Sequence, residues 1–187
     1  MANDIDVTDI AVSRPRQSPP SRIGVEAQVW YDITIGLRNN TRKTQYVIAE
    51  PRNIAYDAAT RTLNLQLDDS AMAPETAQAY VMPHTPKQVA IPAGGTERIQ
   101  IAVPAILRRM RPSSGLALAV EQIDIAGFEK VSCTIAYNQS RLVPVQQESA
   151  TERLRRHQSW GKRVSATETV RRPDESGNPG PDPKTAR

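Results

Sequence analysis

The sequence predicts an all-β fold: an antiparallel two-sheet sandwich followed by a disordered basic C-terminal tail. Apolar residues take every second position from Val25 to Leu37, which is the spacing of a strand with one face in a core. About eight short runs of this kind are separated by turn residues, a pattern typical of sandwiches and barrels. No segment before residue 140 has the apolar spacing of an amphipathic helix.

The first half of the chain predicts strands joined by turns. After the Val25–Leu37 strand, residues 39–43 predict a turn and residues 44–49 a second strand. Alternating apolar residues on both sides of a polar turn predict a β-hairpin over residues 52–67. Residues 68–87 are irregular and rich in proline and aspartate, so they predict a connection between sheet edges.

The second half predicts the remaining strands. Residues 91–97 predict a turn that begins an alternating strand, which ends at Pro104. Residues 106–111 predict one helical turn or a loop. The last strands fall between Leu116 and Tyr137. Their apolar phase changes near residues 121–122, so we expect a bulge or bend there.

Two segments carry a resemblance to a known family. A long alternating strand ends in Asn39-Asn40-Thr41, and residues 91–104 read IPAGGTERIQIAVP. Over residues 5–137 the chain resembles bacterial immunoglobulin-like domains, in which a strand ending in an Asn-x-Thr-like turn precedes a strand begun by Pro-x-Gly. The resemblance implies an immunoglobulin-like sandwich. It implies no functional residues, because such domains share no common activity.

Charge divides the chain at about residue 140. Residues 1–140 hold 14 Lys+Arg and 14 Asp+Glu, whereas residues 141–187 hold 10 basic and 6 acidic side chains. The net charge of +4 therefore belongs to the second segment. We predict a sandwich domain over 1–140 and a basic tail over 141–187.

Within the tail, one short segment favours a helix. Residues 151–163 have the composition of a short helix capped by Thr151, although a helix of that length is marginal by itself. Residues 165–187 are rich in proline and glycine and predict disorder, because they bury too little apolar surface to offset the entropy of ordering.

No catalytic, metal or cofactor motif stands out, so we expect no cofactor. Cys133 lies in phase with apolar neighbours and predicts a buried thiol. His84 and His157 have no ligand or catalytic partner at a suitable spacing, which predicts surface residues. The carboxylates are expected to be solvated in loops, with a calcium site as the alternative; they are Asp4, Asp6, Asp9, Asp68 and Asp69.

The N-terminus carries aspartates where a signal peptide carries positive charge, and no apolar run is long enough to cross a bilayer. We therefore expect a cytoplasmic protein.

Two features indicate partner binding. Trp30 lies out of phase with the apolar face of its strand, so it is expected on the exposed sheet face, where tryptophan often anchors interfaces. The tail offers basic clusters interleaved with one aromatic residue. The candidate binding residues are Trp30, Arg153, Arg155, Arg156, Trp160, Lys162 and Arg163.

The leading hypothesis is a non-enzymatic protein-interaction or structural module in a larger assembly, with self-association through the Trp30 face as one form. The first alternative is binding of the basic tail to nucleic acid or an anionic membrane. The second is an enzyme whose site is assembled across loops.

Overall fold

The computed structural model describes residues 3–17, 29–70, 84–112 and 118–170. In these ranges the chain forms twelve strands and one helix, so the fold is mostly β, as predicted. The elements are β1 Ile5–Val12, β2 Arg16–Gln17, β3 Val29–Asn39, β4 Gln45–Ile48, β5 Asn53–Asp57, β6 Thr62–Leu67, β7 Gln88–Ile91, β8 Thr96–Pro104, β9 Ile106–Pro112, β10 Leu118–Asp124, β11 Lys130–Asn138, α1 Ala150–Ser159 and β12 Lys162–Thr169.

The first sheet is built around β3, which corresponds to the long alternating strand that the sequence predicts. β1 and β2 pair with β3 in antiparallel register, and β8 also pairs antiparallel with β3. Tyr31, Ile33, Ile35 and Leu37 all point into the core. Residues 18–28, which include the start of the predicted strand, lie outside the described residues.

The second sheet is built around β11. Its order is β5-β6-β11-β4-β7, and β12 also pairs with β11. The predicted hairpin over 52–67 is confirmed as the antiparallel pair of β5 and β6. One pair departs from the predicted antiparallel arrangement, because β6 and β11 run parallel from Lys130↔Thr62 to Ile135↔Leu67.

The two sheets share one core. Ile33 and Ile35 of the first sheet belong to the same buried cluster as Leu65 and Cys133 of the second. Tyr31 and Phe128 meet edge to face, with ring centroids 5.2 Å apart, an arrangement that aromatic pairs prefer.

Residues 106–111 were expected to form a helical turn or a loop, and that expectation is wrong. They belong to β9, which pairs antiparallel with β10 in a separate two-stranded sheet. The register runs without a shift from Leu118↔Pro112 to Asp124↔Ile106, so the bulge expected near residues 121–122 is also absent from this pair.

The expected boundary at residue 140 is not where folding ends. β12 pairs with β11 from Lys130↔Thr169 to Tyr137↔Lys162. The prediction of disorder is therefore wrong for residues 165–170, and residues 171–187 lie outside the described residues. The polar composition of this segment predicted disorder, but β12 is an edge strand whose polar side chains pair across strands. The hydroxyls of Thr134 and Ser165, for example, are hydrogen-bonded to each other.

The predicted helix is confirmed with different bounds. It spans Ala150–Ser159 and is capped by Ser149, not by Thr151. Ser149 accepts a hydrogen bond from the Glu152 backbone, and the Glu152 side chain accepts one from the Ser149 backbone. This reciprocal pair is a capping box. The helix ends before Gly161, which has φ +72°.

Candidate interaction surfaces

Trp30 lies in β3 between two other strands of the first sheet. The register places it opposite Arg16 of β2 and opposite Pro104 of β8. Its side of the strand also carries Asp32, whose carboxylate accepts hydrogen bonds from Arg16 Nε at 2.7 Å and Nη2 at 3.0 Å. Trp30 is half-buried, so the tryptophan that was expected on the exposed sheet face is partly covered.

The β9–β10 pair, here called the ribbon, begins two residues after Pro104. One of its faces packs inward, where Leu107 and Ile123 lie against the core. The other is the ribbon face, whose described residues are all exposed: Ile106, Arg108, Val120, Gln122 and Asp124.

The ribbon face carries two of the few large apolar side chains that the described residues leave in solvent. Ile106 is 49% exposed and Val120 is 55% exposed. An isolated two-stranded ribbon is marginal in water, and among its described side chains those that pack against the core lie on the inward face. Single exposed apolar residues are ordinary. Two on one face of the same ribbon indicate a contact surface more strongly.

Charge on the ribbon is separated by strand. Arg108 and Arg109 are exposed on β9, whereas Glu121 and Asp124 lie on β10. The register sets Arg109 opposite Glu121 on the inward side and Arg108 opposite Gln122 on the ribbon face. The ribbon therefore offers a basic strand beside an acidic one.

The basic residues of α1 are largely engaged within the fold. Arg156 donates from Nε and Nη2 to both Glu148 carboxylate oxygens at 2.8 Å and from Nη1 to the Val143 carbonyl at 2.9 Å. Arg153 also pairs with Glu148, at 3.7 Å. The Arg156 hydrogen bonds lower the pKa of Glu148. Of the three arginines, Arg155 is the exposed one.

The remaining candidates from the predicted tail also have positions in the fold. Trp160 is buried and donates from Nε1 to the Ser140 carbonyl at 3.1 Å. Arg163 donates from Nε to Asp68 at 3.0 Å. Lys162 has an exposed side chain, and its Nζ lies 2.7 Å from Asp4. The structure thus disperses these residues and gives most of them intramolecular partners, contrary to a solvated tail.

A buried charged network joins the C-terminal segment to the body. His157 Nδ1 lies 3.0 Å from Asp69 Oδ2, and Arg52 Nε donates to Asp69 Oδ1 at 2.6 Å. The side chains of Asp69 and His157 have no exposed surface. Burial alone would raise the Asp69 pKa, but hydrogen bonds from His157 and Arg52, with the Arg52 charge, outweigh it and hold the pKa below its usual range.

This network corrects two expectations. Asp68 and Asp69 were expected to be solvated loop carboxylates and His157 a surface residue, but all three are buried. Sequence reasoning missed the contact because 88 residues separate Asp69 from His157 and nothing local marks either side chain as buried. By contrast, His84 is exposed, as expected, and its Nε2 lies 2.7 Å from Glu50.

The His157–Asp69 pair has the atoms of a catalytic dyad, but both side chains are buried and solvent does not reach them. His157 Nε2 is buried and has no hydrogen-bond partner, so no substrate atom reaches it in this conformation. The pair is placed to hold the fold together. No group of histidine, cysteine and carboxylate side chains within the described ranges could hold a metal ion.

Cys133 is buried in the core as predicted, and burial raises its pKa to about 11. The thiolate is the nucleophilic form of cysteine. The side chain therefore packs as a small apolar group rather than serving as a nucleophile.

No family model matches the chain, and the curated proteins and solved structures searched yield no match. Across the described residues, no helix is long and apolar enough to cross a membrane.

Proposed function

We propose that this protein is a non-enzymatic interaction module that binds a protein partner through the ribbon face. The observation that carries this proposal is the joint exposure of Ile106 and Val120 on a ribbon whose opposite face packs on the core. Apolar side chains contribute to the binding free energy when a contact removes them from water.

Trp30 extends the proposed surface onto the first sheet. It lies opposite Pro104, two residues before the ribbon begins. A half-buried tryptophan keeps part of its large apolar ring accessible to a partner. The proposed module therefore presents a partly exposed aromatic residue near a ribbon with mixed charge.

The charges favour this proposal over binding to nucleic acid or an anionic membrane through the C-terminal segment. Such binding depends on cations that neutralise phosphates. Arg153, Arg156 and Arg163 are instead paired with Glu148 or Asp68, which are largely buried. Lys162 is paired with Asp4.

The test is site-specific photo-crosslinking in native cells. A benzophenone amino acid replaces Ile106 in one full-length variant and Thr96 in a second. Thr96 is exposed at the opposite end of β8 from the ribbon, so it is a matched control. Defined protein adducts from position 106, and none from position 96, support the proposal.

Equal adduct patterns at the two positions, or no adduct at position 106, would refute it. A third variant, Trp30→Ala with the crosslinker at position 106, tests the extension onto the sheet. We expect a weaker adduct from this variant, because removing a contact aromatic removes apolar area. An unchanged adduct would restrict the surface to the ribbon.

A further inference from the structure

We infer that the partner of the ribbon face is a second copy of this chain, related by a twofold axis. This inference rests on the proposed function, since it requires the ribbon face to be a binding surface. The argument comes from the way charge and apolar groups are distributed on that face.

A twofold interface is self-complementary: if residue i of one copy contacts residue j of the other, then j also contacts i. A surface suited to such an interface carries both members of each favourable pair. The ribbon face meets this condition, because it carries Arg108 on β9 and Asp124 on β10, both exposed.

Separation of charge by strand sets the orientation. When two ribbons stack face to face about an axis parallel to their strands, β9 of each copy lies over β10 of the other. The register then sets Arg108 of one copy above Gln122 of its partner, with Asp124 of that partner one row further along and within reach of the long arginine side chain. The reverse contact forms at the same time. Charge complementarity of this kind fixes register and raises the association rate.

The apolar residues of the same face supply the contact area. Ile106 and Val120 lie on different strands and in different rows of the ribbon, with the Arg108–Gln122 pair between those rows. Stacking therefore removes both from water in each copy. Asp124 lies in the same row as Ile106, so the contact of Arg108 with Asp124 is partly shielded from water by that side chain. Charge pairs count for more where water is excluded.

A face built for an unrelated partner would not need both members of the pair. A partner with an acidic patch would select basic residues alone, and Asp124 would oppose it. The described ribbon face carries one cation and one anion, with no excess of either. A second copy satisfies both with the residues present.

The experiment is sedimentation velocity on the full chain over a concentration series that reaches the high micromolar range. The variants are Arg108→Asp, Asp124→Arg and the double reversal R108D/D124R. Each single reversal places like charges together. We therefore expect the dissociation constant of the dimer to increase at least tenfold, which corresponds to about 1.4 kcal/mol. The double reversal restores the attraction, and dimerisation should return to near the wild-type level.

One further variant controls for local structure. Asp124 Oδ1 accepts a hydrogen bond from the Ala126 backbone at 2.8 Å, which Asp124→Arg removes. Asp124→Asn keeps a carbonyl acceptor while removing the charge. We expect D124N to weaken the dimer less than Asp124→Arg, and high salt to narrow the difference.

Two results would overturn the inference: a wild-type chain that stays monomeric throughout the series, or a double reversal no better than the worse single variant. Neither result alone would remove the interaction module. If the chain is monomeric and position 106 still crosslinks to another protein, self-association fails while the proposed function stands. If position 106 crosslinks to nothing, both fail.

Discussion

His157 and Asp69 face each other inside the protein, with Nδ1 of the imidazole 3.0 Å from Oδ2 of the carboxylate. This contact, together with Arg163 on Asp68, ties the C-terminal segment to the loop after β6. Buried charged groups are tolerated only when they are paired. Removing one partner leaves the other desolvated and without its hydrogen bond.

Replacing His157 by alanine should therefore destabilise the protein by on the order of 3 kcal/mol, because a buried pair is broken. Urea denaturation measures the change. Arg155→Ala is the matched control on the same helix, since Arg155 is exposed, and it should change stability by less than about 0.5 kcal/mol. Equal effects of the two substitutions would contradict the structural role of the pair.

Shortening the chain should reveal where the folded body ends. A chain ending at Ser140 loses the buried side chains of Leu154, Trp160 and Val164 and leaves one edge of β11 uncovered. Burying one such side chain contributes about 1.5–3 kcal/mol, so we expect this chain to lose cooperative unfolding. A chain ending at Val170 keeps every contact described for α1 and β12, and its Tm should match that of the full chain. Thermal denaturation followed by circular dichroism distinguishes the two.

Gly161 permits the sharp turn between α1 and β12. It has φ +72°, and a Cβ at this position would lie 2.1 Å from the Tyr137 carbonyl oxygen. Gly161→Ala should cost more than the roughly 1–3 kcal/mol of backbone strain alone. Gly94 provides the comparison, because its φ is +68° but a Cβ there would meet nothing within 4 Å. If the Gly161→Ala and Gly94→Ala variants have the same Tm, the close approach to Tyr137 does not contribute to stability.

Acid should weaken the contact between Asp69 and its donors. The pKa of Asp69 is lowered in the folded state, from about 3.9 in an unfolded chain. Its contribution to stability is therefore complete above the unfolded pKa and is lost as the pH falls through the folded pKa. Unfolding free energy measured from pH 6 downward should decline more shallowly in Asp69→Asn than in the wild type. Parallel pH profiles would exclude Asp69 as a contributor.

Cys133 should resist thiol reagents while the protein is folded. Its pKa of about 11 leaves little thiolate at pH 8, and the side chain has no exposed surface. A chromogenic disulfide reagent should give no rapid colour with native protein and about one equivalent after unfolding in urea. Rapid reaction of the native protein would show that the core around β11 opens readily.

The ribbon shows where local pattern reading reached its limit. Residues 106–111 read ILRRMR, without the alternation that marked β3, so the helical-turn or loop prediction followed. β9 forms because its register partner β10 supplies the hydrogen bonds. Trp30 was placed correctly on the outward side of β3 but found half-buried. The degree of exposure depends on neighbouring strands that the sequence of β3 does not contain.

The sequence by itself determined the mostly β class, the central strand β3, the β5–β6 hairpin and the burial of Cys133, because alternation and turn chemistry are local properties of the chain. Only the tertiary structure decided that the C-terminal segment through β12 belongs to the folded body. The polar strand β12 is stable because β11 offers an edge to pair with. His157 is buried because Asp69 and Arg52 form a charged network beneath it. Contacts between residues so far apart in the chain produce no periodic pattern in the sequence, because each depends on a partner that is close only in the folded protein.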